Sequence, residues 1–464
     1  MKKRNNITLD FSNGEFAEHV SGAGVYLKEL EILIECGYSQ SNNLVKDYHN
    51  NNKQFNFSCK ELKAILVSHC HIDHIGRIPL LYKRGCDAPI FVTKGSKPIM
   101  RNMLEDSVKI NERDSLLLSK QTGKINQPIY SFDDVAQAME HVIEIEPFQL
   151  YEVNENVKIR FIPAGHIKYS AQIELFTNNK KLVYTGDLGN CNLPKHFTDQ
   201  FVPIEKCDIL IGETTYADGH RPRANAKLRK KDIEKLTAVI QHYCIETQSR
   251  ILIPCFSLDR TPEMYMTIRE ILKENGWDDL QVVIDSPLAI KQLQLYGLKH
   301  PELIEEIQNS NTKLITSYSV STEYQQSQKR MIILSSSGML NAGRVLSYLP
   351  HILPNSNNCV VFCGYSTEGT LAGDIKQGKK KRVKVGNDWV TNRANIINLQ
   401  SFSSHMQHDE LLDYYSTIQC NKIYLVHGQM DAKLEFSHEL KLALEKKNRS
   451  TQVVCVNKGT KGKL

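Results

Sequence analysis

The stretch VSHCHIDHIGRI, residues 67–78, sets His69, His71, Asp73 and His74 within six residues. Imidazoles bind metal ions or move protons, and a carboxylate among them adds a hard oxygen donor. His69 and His71 stand two apart on a turn that follows the apolar run AILV, so both can address one cation. Asp73 and His74 are displaced enough to address a second. Two first-row ions about 3.5–4 Å apart need roughly seven or eight protein ligands, one of them bridging. The cluster supplies only part of that set, so the remainder must come from elsewhere in the chain.

The elements that must position these groups read as buried strands, and further ligands sit where such strands end. His166 follows FIPAG, Asp187 follows LVYTG and His427 follows IYLV. A lone histidine after a strand is ordinarily structural, and TGD alone is an ordinary turn. Beside the 69–74 cluster the three gain weight together. The set then divides into His69, His71 and His166 with Asp187 for one ion, and Asp73, His74 and His427 with the shared Asp187 for the other. Nitrogen and oxygen donors without thiolate fit zinc first and manganese second, two ions per chain.

The chain has 464 residues, 41% of them hydrophobic, which is ordinary globular composition and enough for two or three domains. Its 58 basic and 52 acidic residues leave a formal charge of +6, which permits a polyanionic partner without requiring one. Twelve cysteines are scattered without a C-x-x-C pair, which argues against a cysteine zinc site. The N-terminus MKKRNNITLD has no apolar core, and no long apolar run follows. These features predict a soluble protein of the cytoplasm, with free thiols and no membrane span.

Short apolar runs between residues 17 and 110 predict strands in antiparallel or mixed pairing, with a helix near SKPIMRNMLEDSVKIN. Further strands are expected at VKIRFIPAG, AQIELFT, KLVYTGD and CDILIGET. After residue 215 the rhythm changes. The basic amphipathic stretch NAKLRKKDIEKLTAVIQHYCIE opens an alternation of helix and strand that predicts a doubly wound parallel sheet. This second domain is placed at 216–395, between a first part at 1–215 and a closing segment at 396–464. The Asn-rich SNNLVKDYHNNNKQFNF is expected to be a surface loop. The basic run IKQGKKKRVKVG is read first as a solvated hairpin of the second domain, and otherwise as a track for a nucleic-acid backbone or as a nuclear address.

The H-x-H-x-D-H loop resembles the signature of the metallo-β-lactamase superfamily. More narrowly, the chain looks like the β-CASP nucleases, which process RNA. GETTYADGH is similar to the family's acidic motif A, FSSHMQHDEL to its motif B and LVHGQ to its motif C. IPCFSLDRTPE, DSPLA, SSSGMLNAGR and GYSTEGTLAG resemble segments of its inserted domain. The resemblance covers nearly the whole chain. It implies an αββα sandwich of two sheets flanked by helices, α/β in class, with a β-CASP domain of doubly wound parallel sheet inserted into it.

The resemblance also implies roles. His405 would be the acid that protonates the leaving group, with Glu213 beside it. A carboxylate next to an imidazole favours the charged, proton-donating form. Asp73 would serve the catalytic centre as well as the metal. Arg260 and Arg344 each follow a strand of the second domain, where a guanidinium can hold a phosphate, and Ser403 can donate to a phosphate oxygen. Glu35 departs from the family, which usually has Asp there to orient the histidine loop.

The implied activity is zinc-dependent hydrolysis of RNA phosphodiester bonds, internal to the strand, leaving 5′-phosphate and 3′-hydroxyl ends. Rivals are a 5′–3′ exoribonuclease and a DNA nuclease of the same superfamily. His427 favours RNA, because the DNA-directed branch generally carries Val there. The exonuclease group carries a further C-terminal domain, for which the residues after His427 leave no room. A non-catalytic RNA-binding subunit is disfavoured because such subunits usually lose several ligands. The RNA target and protein partners are not legible, and the oligomeric state, a homodimer included, stays open.

Overall fold

The computed structural model describes residues 7–464 apart from 14–18, 20, 42, 191–192, 194, 220–223, 365–369 and 379. His220, Lys379 and residues 365–369 of GYSTEGTLAG, all within stretches singled out above, therefore lie outside the described residues.

Two compact units emerge from one chain. The first comprises Met1–Cys191, Asp199–Arg223 and His405–Leu464, and the second Asn192–Thr198 and Ala224–Ser404. Their main borders fall at 223/224 and 404/405, beyond the 215/216 and 395/396 read from the sequence. The later border has a clear reason: Asn395–Asn398 is a strand, paired in parallel with Cys359–Phe362 of the second unit.

The first unit holds two seven-stranded sheets. One runs Lys461–Lys463, Thr8–Asp10, Val25–Leu27, Ile32–Ile34, Ala64–Leu66, Ile90–Thr93 and Val142–Ile145 in spatial order. The other runs Gln452–Cys455, Lys422–Val426, Ile209–Glu213, Lys180–Tyr184, Ala171–Thr177, Val157–Pro163 and Tyr151–Asn154. Alternating side chains from both sheets, among them Leu9, Ile34, Leu66, Phe161, Ile173 and Ile211, form one buried layer between them. The opposite face of the second sheet packs Leu210 and Leu425 against Phe436 and Leu440 of helix Met430–Lys446. Helix Ser96–Thr122 packs against strands of the first sheet. This is the expected helix–sheet–sheet–helix order.

The second unit is built on six strands, all paired in parallel. Their order is Thr312–Leu314, Val282–Asp285, Met331–Ser335, Arg250–Pro254, Cys359–Phe362, Asn395–Asn398. Helices return the chain between strands, as parallel pairing requires. The basic run does form a hairpin, Arg382–Val385 against Asp388–Thr391.

One expectation is corrected. The Asn-rich segment is not simply a loop, because Leu44–Asn52 is helical. Asn43 caps it by accepting from the Lys46 N–H. At its far end the Asn51 amide exchanges two hydrogen bonds with the Ser39 backbone. These anchors override the weak helix propensity of asparagine.

Candidate metal centre

The histidine cluster is formed by a strand that stops. Ala64–Leu66 ends, the chain turns through His69, and His71 caps the short helix Ile72–Ile75. The neighbouring segment 35–38 fastens this turn: Glu35 N–H donates to Leu66 O, Cys36 N–H to His74 O and Tyr38 N–H to Ile72 O, all at 2.8–3.0 Å. Gly37 makes that approach possible, because a Cβ there would lie 1.5 Å from the Asp73 carbonyl oxygen.

The other candidates also stand at strand ends. His166 follows Val157–Pro163. Lys180–Tyr184, Ile209–Glu213 and Lys422–Val426 are parallel neighbours, so Asp187, Glu213 and His427 project from one sheet edge. Carboxyl ends of parallel strands are where such folds place ligands. His427 adopts a left-handed φ of 54°, a strained conformation for a β-substituted residue.

These residues converge in two groups. Nε2 of His69 and Nε2 of His166 stand 3.1 and 3.3 Å from Nδ1 of His71, and 3.6 and 3.7 Å from Asp187 Oδ2. On the other side, Asp187 Oδ1 lies 3.4 Å from His74 Nε2 and 3.3 Å from His427 Nδ1. Asp73 Oδ2 completes this group, 3.7 Å from His74 Nε2 and 3.4 Å from His427 Nε2. All seven candidate ligands named from the sequence are thus brought together, and Asp187 turns one oxygen toward each group.

The donors fit divalent cations. Among the described residues, Nε2 of His74, Nε2 of His427 and Oδ1 of Asp187 are buried without a hydrogen-bond partner, a costly state unless something else satisfies them. Burial holds His69 and His166 well below the ordinary histidine range and His71 down at about 4, which keeps their lone pairs available. Burial would lower His74 as well, but the carboxylates of Glu35, Asp187 and Asp73 outweigh it and raise it well above that range. Burial would raise Asp187, yet His427 and His74 outweigh it and hold the carboxyl ionised. The neutral imidazoles of His69, His71 and His166 face the ionised Asp187 with their lone pairs open to a cation.

Residues behind the ligands set their orientation. Glu35, fully buried, accepts from Nδ1 of His74 with one oxygen and from the Ser68 hydroxyl with the other. Tyr184 O–H also donates to Glu35, at 2.6 Å. Thr215 Oγ1 stands 3.0 Å from His427 Nδ1. Sequence reasoning missed Tyr184 and Thr215, which look like a strand residue and a turn hydroxyl.

His405 and Glu213, 192 residues apart, do meet: Nδ1 lies 3.4 Å from Glu213 Oε1. Glu213 is fixed by the N–H groups of Leu188 and Thr215, at 2.8 and 2.9 Å. The His405 side chain remains 17% exposed while His69, His74 and His166 are essentially buried, so His405 is reachable from solvent.

The substrate-binding candidates belong to the second unit. Arg260 begins helix Arg260–Glu274, donates to the Ser404 hydroxyl and keeps Nε buried without a hydrogen-bond partner among the described residues. Ser403 is buried in the same segment. Arg344 is already engaged: it donates to Asp285 at 2.7 Å and to the carbonyls of Ile315 and Thr316.

The sequence is similar to those of known proteins. The family model of the Beta-Casp domain matches residues 261–375, and that of the Zn-dependent metallo-hydrolase RNA specificity domain matches 389–453. The model of anti-Pycsar protein Apyc1 matches 21–216. A ribonuclease of Thermus thermophilus is 28% identical over 89% of this chain and 90% of its own length. An RNase J-like protein of Methanocaldococcus jannaschii is 26% identical over 93% of this chain and 94% of its own. Endoribonuclease YSH1 of Candida glabrata is 26% identical over 80% of this chain and 49% of its own. Fold and site define a metal-dependent hydrolase of the metallo-β-lactamase superfamily. Within it, the chain belongs to the β-CASP family of RNA nucleases.

Proposed function

We propose that this chain is a two-zinc ribonuclease that cuts RNA internally by hydrolysis and leaves 5′-phosphate and 3′-hydroxyl ends. The observation that carries the reading is the pair of nitrogen–oxygen donor groups sharing Asp187. His69, His71, His166 and Asp187 would hold one ion, and Asp73, His74, His427 and Asp187 the second. When bound, two such ions supply a nucleophilic water at neutral pH and neutralise charge on the phosphate.

The chain's own residues do the rest. His405 turns Nδ1 toward Glu213, which leaves Nε2 to deliver a proton to the departing 3′-oxygen. Glu213 aims the ring. Arg260 and Ser403 are the remaining candidates for holding phosphate oxygens. The Arg344 guanidinium, occupied by Asp285 and two carbonyls, is better read as structural. The cytoplasm is the proposed compartment, in keeping with eleven described cysteines that are all free thiols.

The endoribonuclease name of the Candida glabrata relative supports internal cleavage. A 5′–3′ exonuclease is the second reading, favoured by the RNase J-like relative that matches nearly the whole chain. Mapping both ends of the products from a labelled transcript tests the proposal. Internal fragments with 5′-phosphate and 3′-hydroxyl ends are expected. Mononucleotides released in order from the 5′ end would favour the second reading, and 2′,3′-cyclic phosphates would rule out the hydrolytic mechanism.

A further inference from the structure

The hairpin Arg382–Val385/Asp388–Thr391 has two unlike faces. Its strands pair Arg382 with Thr391, Val383 with Val390 and Lys384 with Trp389. Successive side chains on a strand point to opposite faces. Val383, Val385 and Val390 accordingly turn inward and join the buried cluster of Val345, Tyr348 and Leu349. Arg382, Lys384 and Trp389 turn outward and are exposed. Trp389 keeps 59% of its surface in solvent.

A single exposed apolar side chain is ordinary. This one stands directly opposite a lysine, with Arg382 on the same face and Lys381 just before the strand. The valine face is locked into the core, so the indole and its cations are displayed on a fixed support. The hairpin's one carboxylate, Asp388, has the inward register of Val385 and is exposed beside the turn, off the face of Trp389, and Lys380 is paired with Asp374. The outward face is therefore cationic and aromatic. That pairing is the chemistry of unpaired nucleic acid, in which aromatic rings stack on bases and cations follow phosphates.

We infer that the outward face of this hairpin is a docking platform for single-stranded RNA, with Trp389 stacking on a base and Lys381, Arg382 and Lys384 holding the adjoining phosphates. The inference rests on the ribonuclease reading and extends it to a surface outside the metal centre. An acidic protein segment is the competing occupant, but it would use the cations and leave the indole unexplained.

The test uses the full chain with its metals, in a His405→Ala background so that RNA survives the measurement. Trp277→Phe then leaves Trp389 as the sole tryptophan reporter, since the chain has two. A single-stranded RNA of about twenty nucleotides should quench that emission, as expected when a base stacks on the ring. Trp389→Ala should weaken binding about tenfold, while Trp389→Phe restores most of it. Arg382→Glu with Lys384→Glu should flatten the dependence of log affinity on log salt by more than one unit, at about 0.7 per phosphate contact. Melting temperatures matching the parent protein would show that the fold is retained, because these side chains face water. Unchanged affinity in Trp389→Ala without quenching in its parent overturns the platform. So does tighter binding of an acidic peptide than of RNA. A wild-type protein that fails to cleave any RNA overturns the ribonuclease reading instead, so the two failures are separable.

Discussion

Asp187 and Asp285 invite comparison. Each lies at or just beyond the end of a sheet strand, one per unit, and each is essentially buried. Asp285 is fully answered by its own chain: Arg344 donates to one oxygen, and Ser321 and Tyr348 donate to the other at 2.5 and 2.8 Å. Asp187 is surrounded by imidazole nitrogens at 3.3–3.7 Å, and its Oδ1 has no hydrogen-bond partner among the described residues. A buried carboxylate needs a counter-charge. Where the chain supplies an arginine, the aspartate is structural; Asp187 instead faces imidazoles that can equally serve as metal ligands.

The largest effect should come from exchanging these fates. Asp187→Ala is expected to strip or scramble both ions and to cut RNA cleavage by at least about 10³-fold. Thermal stability of the metal-free protein should be unchanged or higher, since a buried charge is relieved. Asp285→Ala should retain metal but lose about 3–5 kcal/mol of stability, because Arg344 is left unpaired. Elemental analysis with urea melts of both variants decides the matter. A metal-free Asp285→Ala that keeps its stability would break the comparison.

Next comes His405, which clusters with Asp187 and Glu213 and is proposed here as an acid, not a ligand. His405→Ala should keep the metal content of the parent and lose about 10²–10⁴-fold in rate, the usual size of a general-acid contribution. A substrate with a 3′-bridging sulfur, whose leaving group needs no proton, should rescue His405→Ala but not His69→Ala. Equal fractional loss on both substrates would remove His405 from the acid role. Loss of an ion would make it a ligand.

Much of this centre was legible because its candidate ligands obey local rules. His69, His71, Asp73 and His74 fall on one turn, and His166, Asp187 and His427 each follow an apolar strand. Glu213 and His405 carry no local sign of each other, and only the family resemblance paired them. The role of Tyr184 depends on Glu35, 149 residues away, and no periodicity encodes that. Arg344 shows the opposite limit: an arginine after a strand reads as a phosphate holder until the fold supplies Asp285. The Asn-rich helix was missed because its stability lies in tertiary anchors at Ser39 and Asn51.

Glu35 sharpens the comparison from behind. It gives His74 what Arg344 gives Asp285, a fixed charged partner. Glu35→Gln should weaken binding of the ion at Asp73, His74 and His427 about 10–100-fold, a typical cost of losing such a support. Glu35→Asp should be milder, because the charge stays while the reach shortens. Competition with a chromophoric chelator reads both. Equal affinity in Glu35→Gln would mean that packing alone holds the ring of His74.

The smallest effect tests whether the second unit satisfies its charges internally even where water has access. His196 lies between Glu263 and Glu270, with Nδ1 and Nε2 at 3.1 and 3.0 Å from their oxygens. Burial alone would lower its imidazole, but these hydrogen bonds outweigh it and raise it to about 10. Burial would likewise raise Glu263, yet the hydrogen bond and charge of His196 outweigh it and lower it to about 2. The signs then set the window. A raised histidine stabilises fully below its unfolded value of 6.5 and loses that contribution as pH climbs toward 10. A depressed glutamate stabilises fully above its unfolded value of 4.5 and loses its contribution as pH falls toward 2. The pair is therefore at full strength between pH 4.5 and 6.5. His196→Ala should cost about 1–2 kcal/mol there, a charged hydrogen bond discounted for partial exposure. The cost should shrink steadily as pH approaches 10. Urea unfolding of parent and variant at pH 6 and pH 9 measures the difference directly. A loss of the same size at both values would show that His196 works by packing beside Phe197, not by its charge.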